Sequence, residues 1–259
     1  MTQDTPSLFI SHGAPTIALD AGDATHRFLR GLGRALGRPE AVLVVSAHWE
    51  ADAPHVSSAI RPETIHDFYG FPDPLYRLVY PAPGAPALAS RVAQLLPDAG
   101  IQVTVDAERG LDHGAWIPLM LMYPEADIPV TQLSVQVASG PEHHYRVGKA
   151  LRVLRREGVL IIGSGGFTHN LGAVDFHSES TVLPAWGEEF RAWVDRAIEE
   201  GRIDDLLNYR SMAPHAARNH PREEHFLPLF AALGAGGGAT RVHTDVAYGT
   251  LAMDAYRFD

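Results

Sequence analysis

Apolar positions along the chain fall into short runs of two kinds. Leu8 to Ile10, Ala41 to Ala47, Ile101 to Val105, Val130 to Val137, Val159 to Ile162 and Val242 to Ala247 are rich in aliphatic residues and bounded by polar or glycine-bearing stretches, the pattern of strands. Ala41 to Ala47 and Val159 to Ile162 are nearly continuous in apolar residues, which suits interior strands covered on both faces. Helical spacing runs over Thr25 to Leu36, Pro86 to Leu96, Glu142 to Arg156, Pro184 to Glu200 and Arg222 to Leu233. The clearest of these is Pro184 to Glu200, with Trp186, Phe190, Trp193, Ala197 and Ile198 on one face, Glu188 and Glu189 in its first turns, and Gly201 as a stop.

Strands alternating with helices predict an α/β fold. The expectation is a single-domain sandwich over residues 1–259, with a central, mostly parallel or mixed sheet flanked by helices. Ala51 to Pro86 breaks the pattern, being rich in proline and aromatics. A long irregular segment inside a compact domain is more often functional than idle, so it reads as the wall or lid of a pocket, with a surface excursion as the plain alternative.

Composition narrows the chemistry. No apolar run approaches the roughly 18 residues of a membrane helix, and no basic leader precedes Leu8, so a cytoplasmic location is expected. A net charge of -10 offers no electrostatic footprint for nucleic acid. The absence of cysteine removes thiolate nucleophiles, iron–sulfur clusters and Cys-ligated zinc, so any metal must rest on histidine and carboxylate. Lys149 is the only lysine and lies in a helical pattern, which argues against a phosphate-loop or Schiff-base lysine. The 14 histidines are the abundant resource.

Three strand patterns run into a histidine: Phe9-Ile10 into Ser11-His12-Gly13, Val44-Val45 into Ser46-Ala47-His48-Trp49, and Leu160-Ile161-Ile162 into Gly163-Ser-Gly-Gly-Phe-Thr-His169-Asn170. Ligands bind beyond the carboxyl ends of strands in open α/β sheets, so three histidines delivered there can converge on one metal. Singly, each has a plain explanation as a turn, packing or hydrogen-bonding residue. Jointly they point to a metal site, and cysteine-free imidazoles suit Fe(II), Zn(II) or Mn(II). The glycines fit neither G-x-G-x-x-G, since Thr168 stands at the last position, nor G-x-S-x-G, since Ile162 stands at the first. A tight turn admitting close backbone approach to the pocket accounts for them instead.

Two other segments carry candidates. His113, in Gly110-Leu-Asp-His113-Gly-Ala-Trp116, is expected on a loop after a strand, with Asp112 beside it to orient an imidazole toward substrate. Glu224 and His225 are expected to open a helix and present a donor to the metal, or simply to complement the helix dipole. The remaining histidines read mostly as surface or loop residues, with His177 and His215 as candidates to line the pocket.

At these residues the chain resembles the class III extradiol ring-cleaving dioxygenases, in the branch that includes the 4,5-DOPA dioxygenases. The matching segments are Ile10-Ser-His12-Gly-Ala-Pro15, Val45-Ser-Ala-His48-Trp49, Leu111-Asp-His113-Gly-Ala-Trp116-Ile-Pro118, Gly163-Ser-Gly-Gly-Phe-Thr-His169-Asn-Leu171 and Glu224-His225-Phe-Leu-Pro-Leu229, in order along almost the whole chain. The resemblance implies a mononuclear non-haem metal, Fe(II) for activity with zinc possible in the same site, and a catechol and O2 as substrates. It implies His12 and His48 as ligands, and leaves the third open among His225, His169 and Glu224, because His225 stands about where better-known relatives use a glutamate. His169 is implied either as a ligand or as an acid/base residue, and His113 as the base that takes a phenolic proton. Trp49, Phe68, Tyr69, Tyr76 and Trp116 are candidates to pack the ring, though aromatics are more often core. Competing readings are a zinc hydrolase built on the same histidines and a non-catalytic metal- or aromatic-binding protein.

Overall fold

The computed structural model describes residues 4–259. Its strands in chain order are β1 (Ser7–Ser11), β2 (Ala41–Glu50), β3 (His55–Ser57), β4 (Thr104–Asp106), β5 (Val130–Val135), β6 (Val159–Gly165), β7 (Ala239–His243), β8 (Val246–Ala247), β9 (Leu251–Ala252) and β10 (Ala255–Phe258). The α-helices are α1 (Ala24–Leu36), α2 (Pro86–Asp98), α3 (His113–Met122), α4 (Gly140–Leu151), α5 (Ala185–Glu199), α6 (Ile203–Leu207), α7 (Tyr209–Met212), α8 (Ala216–Asn219) and α9 (Leu227–Ala235).

Eight strands form one mixed sheet in the order β4-β3-β5-β2-β6-β1-β10-β7, while β8 and β9 pair separately. The inner four, β5, β2, β6 and β1, run parallel, and β10 and β7 extend the sheet antiparallel beyond β1. This is the expected α/β architecture with a mixed sheet. Strand alternation sorts the core into layers. Val42, Val44, Leu160 and Ile162 face α1, α3 and the irregular segment, where Phe68, Leu75 and Tyr80 pack. Leu43, Val45, Val159 and Ile161 face α2, α4 and α9. Burial on both sides is why β2 and β6 read as unbroken apolar runs.

α6, α7 and α8 are short helices with no predicted counterpart, and α9 and α3 also depart from the expected pattern. α9 is buried along its entire length and begins at Leu227, so Glu224 and His225 precede it in a turn instead of opening it. α3 has no predicted counterpart. All of it but Met120 is buried, leaving no polar face to reveal a helical period, and Pro118 stands inside it. α5 matches its expected span, but its buried face is Gly187, Phe190, Val194, Ala197 and Ile198. Trp186 and Trp193 flank that face and are covered by the guanidinium groups of Arg218 and Arg202. No helix among the described residues is long and apolar enough to cross a membrane.

Candidate metal centre

The register of the parallel strands brings three side chains to one edge of the sheet. Ile10, Ser164 and Ser46 are lateral neighbours across β1, β6 and β2; β1 and β6 end one residue later, and β2 runs on past them to Glu50. His12 follows β1 directly, its N–H donating to the Gly165 carbonyl at 3.0 Å. His48 belongs to β2 itself, one residue beyond the expected strand end at Ala47, because the strand continues to Glu50. His225 arrives from the far end of the chain, held against β6 by a bond from Gly166 N–H to its carbonyl at 2.9 Å.

That approach explains the glycines of β6. A Cβ at Gly163 would lie 2.1 Å from the Pro228 carbonyl oxygen, and one at Gly165 would lie 2.0 Å from that of His225. Both are strand residues with ordinary φ, so the expected tight turn is a seat within the strand for residues 225–228. The close backbone approach is real; its partner is protein backbone.

The three imidazoles meet nitrogen to nitrogen. His12 Nε2 lies 2.9 Å from His48 Nε2, which lies 3.2 Å from His225 Nε2. Their other ring nitrogens fix the tautomers. Ser164 Oγ donates its one proton to the Gly114 carbonyl, so at 3.0 Å from His12 Nδ1 it accepts, and Nδ1 carries the hydrogen. His225 Nδ1 donates to Glu224 Oε1 at 3.0 Å, and His48 Nδ1 faces Asp67 Oδ2 at 3.5 Å. The Nε2 atoms of His12 and His225 are therefore lone pairs, and the Asp67 carboxylate facing His48 Nδ1 favours the tautomer that turns a third lone pair toward them. Nitrogen donors held at about 2.0–2.1 Å from one ion, roughly at right angles, lie about 3 Å apart, so the set fits a divalent cation.

Electrostatics agree. Burial, reinforced by the neighbouring imidazoles, lowers His12 and His225 well below the ordinary histidine value and brings His48 to about 3. All three are neutral at pH 7, the form that ligates metal.

His113 is the first residue of α3 and not part of a loop. Its ring centroid lies 3.9 Å from that of His48 and 5.3 Å from that of His12. Asp112, expected to orient it, is turned away and fully buried, accepting from Ser46 Oγ at 2.6 Å, Gln132 Nε2 at 2.7 Å and an Arg109 guanidinium nitrogen at 3.1 Å. The orienting carboxylate is Asp67, with Oδ2 3.0 Å from His113 Nδ1 and Oδ1 accepting the His113 backbone N–H at 2.9 Å. Burial pushes the Asp67 carboxyl up, but the bonds and charges of His113 and His48 outweigh it and hold the group at about 2. Nothing in the sequence singled out Asp67; the only signal was its place in the irregular Ala51 to Pro86 segment.

His169 stacks on His225 with ring centroids 3.4 Å apart and planes 10° from parallel, and its Nδ1 is 3.9 Å from Glu224 Oε1. Burial, with a contribution from His113, lowers it to about 4. Donor atoms of His12, His48 and His225 form one cluster within 4.8 Å, while His169 groups with Glu224 and His225.

A cavity of about 330 Å³ opens over these groups. Asp67, Phe68, Tyr69 and Phe71 line it, so the irregular segment is one of its walls. Of the other expected ring-packing aromatics, Trp116 is fully buried in the core, Trp49 lies under Arg109, and Tyr76 packs against Phe68 outside the lining. His177 and His215 do not line it; His215 pairs with Glu189 at 3.0 Å. His26, His144 and His220, expected on the surface, are buried, each with a ring nitrogen bonded to a backbone carbonyl.

Residues 6–258 match the family described as the catalytic LigB subunit of aromatic ring-opening dioxygenase. The chain belongs to this family. A Beta vulgaris protein named 4,5-DOPA dioxygenase extradiol is 44% identical over 258 residues, spanning 97% of this chain and 96% of that protein. An Escherichia coli K12 protein of the same name is 42% identical, spanning 90% and 86%. The crystal structure of an uncharacterized Escherichia coli K12 protein superposes with a TM-score of 0.83 at 34% identity, covering 98% of this chain and 100% of that one. Membership of the ring-opening dioxygenases agrees with the resemblance carried by the five histidine-bearing segments, and it implies a metal cofactor.

Proposed function

We propose that this chain is an extradiol dioxygenase that opens a catechol-type ring with O2, using a divalent metal held by His12, His48 and His225. The observation that carries the reading is the meeting of three Nε2 atoms at 2.9 and 3.2 Å on neutral, buried rings. Fe(II) is the ion for activity, and zinc suits the same donors. A bound ion of this kind supplies chelation of the two catechol oxygens and a path for electrons from ring to O2.

The protein's own groups do the rest. His113 takes a phenolic proton at Nε2, since Asp67 occupies Nδ1 and keeps the opposite nitrogen free to accept. Phenols titrate at about 10, so proton removal by a positioned imidazole is the step this pair assists. His169, stacked on His225 at the cavity wall, is the second proton-handling group and in this reading stands outside the ligand set. Phe68 meets the His113 ring edge-on at 5.6 Å and walls off water from the proton-transfer site.

The test is to strip the protein of metal, reload it anaerobically with Fe(II) or Zn(II), add a panel of catechols and admit air. O2 uptake with a yellow ring-opened product is expected from the Fe(II) form. Metal-dependent hydrolysis of esters or amides without O2 uptake would replace this reading with a zinc hydrolase.

A further inference from the structure

We propose that residues 174–183 form a strap that closes over the cavity mouth when a catechol binds, a motion that deepens the ring-opening reading and rests on it for the ligand. The strap is fastened at both ends. Before it, the His169 N–H donates to the Asn219 carbonyl at 3.0 Å and Asn170 Nδ2 to the Arg218 carbonyl at 2.6 Å. At its far end Leu183 is buried in the same cluster as Phe190, and the Pro184 carbonyl accepts the Gly187 N–H at 2.8 Å. Between these anchors the chain bonds only to itself. The Asp175 carbonyl accepts the Ser178 N–H and its Oδ1 the His177 N–H, while Ser178 Oγ and Ser180 Oγ accept the N–H groups of Ser180 and Val182. Among the described residues no hydrogen bond joins 175–182 to the rest of the protein. A segment pinned at its ends and unbonded between them moves at little cost.

The wall beside it is fixed. Thr168 Oγ1 donates to the Thr250 carbonyl at 2.9 Å and accepts the Ala252 N–H at 2.7 Å, bolting the β8–β9 hairpin to the segment that carries His169. At the hairpin turn Tyr248 has φ +52°, a backbone conformation bulky residues rarely adopt, and its hydroxyl lies 3.2 Å from Thr16 Oγ1. Phe176 rests edge-to-face on this ring with centroids 5.2 Å apart, the one aromatic contact that draws the strap to the hairpin. Phe176 also lines the cavity, yet it is 55% exposed, and Tyr69 on the same lining is 89% exposed. Large apolar side chains held in solvent at the rim of a cavity mark a surface that is covered in another state. An aromatic ring seated over the histidines supplies the missing partner: Phe176 leaves Tyr248, covers the ring and excludes water from the site where His113 takes its proton.

The test has two arms, both on the Zn(II)-loaded protein without O2. In the wild type, amide hydrogens of residues 174–183 are expected to exchange fast alone and at least about tenfold more slowly with saturating catechol, while those of α5 do not change. The second arm locks the strap. A Cβ at Gly249 would lie 3.7 Å from Ser178 Cβ, the spacing of a disulfide, and the chain has no other cysteine to compete. The oxidised Ser178→Cys/Gly249→Cys variant is expected to bind catechol at least about tenfold more weakly than the same variant reduced, both carrying one metal ion per chain. Gly249 has φ +67°, so cysteine is strained there, and the reduced form carries the same strain as its own control. Unchanged exchange with catechol bound, or equal affinity in the oxidised and reduced forms, would overturn the proposal. O2 uptake by the Fe(II) form is read separately: uptake with unchanged exchange overturns the strap alone, and slowed exchange without uptake overturns the ring-opening reading and leaves the strap.

Discussion

A single carboxylate holds both the ring and the backbone of His113: Asp67 Oδ2 lies 3.0 Å from Nδ1, and Oδ1 accepts the backbone N–H at 2.9 Å. Because His113 begins α3, the same contact places a negative charge at that helix's N-terminus. Asp67→Asn should keep the metal, measured by atomic emission, while kcat falls by about 10²-fold as the imidazole loses its ionic partner. Metal loss in that variant would show that Asp67 acts chiefly through His48, 3.5 Å away.

Replacing His113 itself separates proton transfer from metal binding. His113→Ala is expected to retain iron and to bind catechol, yet to lose on the order of 10²–10⁴ in kcat. Retained activity would move the base role to His169; lost iron would make His113 a ligand.

The groups behind the ligands should behave differently from the ligands. His12→Ala, His48→Ala and His225→Ala are each expected to abolish tight metal binding with the fold intact by circular dichroism. Glu224→Gln removes the charge of the group that accepts from His225 Nδ1, and Ser164→Ala removes the acceptor of His12 Nδ1 together with its own bond to the Gly114 carbonyl, so each should weaken metal affinity by about 10–100-fold without abolishing it. Complete metal loss in Glu224→Gln would restore a two-histidine, one-carboxylate site.

Stability should fall on acidification well before the carboxylates titrate. Burial lowers His144 to about 4 and His220 to about 3, so between those values and the ordinary 6.5 the unfolded chain holds more protons than the folded one. The stabilisation from neutral, buried rings is complete above about 6.5 and is lost as pH falls through the window, by about 1.4 kcal/mol per pH unit for each group. His144 shows why: Nδ1–H donates to the Gly140 carbonyl at 2.7 Å while Nε2 accepts the Gln136 N–H at 3.1 Å, and a second ring proton would oppose that N–H. Urea unfolding at pH 7.5 and pH 5 measures the slope, and His220→Gln, which can still donate to the Phe167 carbonyl, should flatten it.

What the sequence disclosed and withheld follows from local pattern. Interior strands such as β2 and β6 were visible because burial on both faces leaves continuous apolar runs. α3 was invisible for the matching reason: a helix buried all round has no polar stripe, and its apolar residues carry no period. Val242 to Ala247 read as one strand, but Thr244 and Asp245 divide it into the end of β7 and the short β8. His12 and His48 were found because each follows or ends an apolar run. Asp67 was missed because its neighbours make no regular element, and Asp112 was credited with its task because adjacency in sequence says nothing about where a side chain points. His225 stood out in the sequence, whereas its seat on β6 depends on two missing side chains, and absence leaves little pattern to read.

The seat on β6 has a consequence for how the protein comes into being. His12, His48 and His225 span nearly the full chain, and His225 reaches the others only after residues 225–228 settle onto Gly163 and Gly165. Contacts of such long sequence separation form late, at high loop-closure cost, so a nascent chain emerging from the ribosome exposes two of the three donors long before the third exists. With the proposed ligand set, metal capture is expected to report completion of the fold: an ion bound to all three would favour only the finished chain and slow its unfolding, while a truncated product lacking the C-terminal third would be left with a half-site that holds metal loosely. Gly165→Ala, which crowds the His225 carbonyl, should reproduce that half-site in a full-length protein, visible as slowed refolding and weakened metal retention.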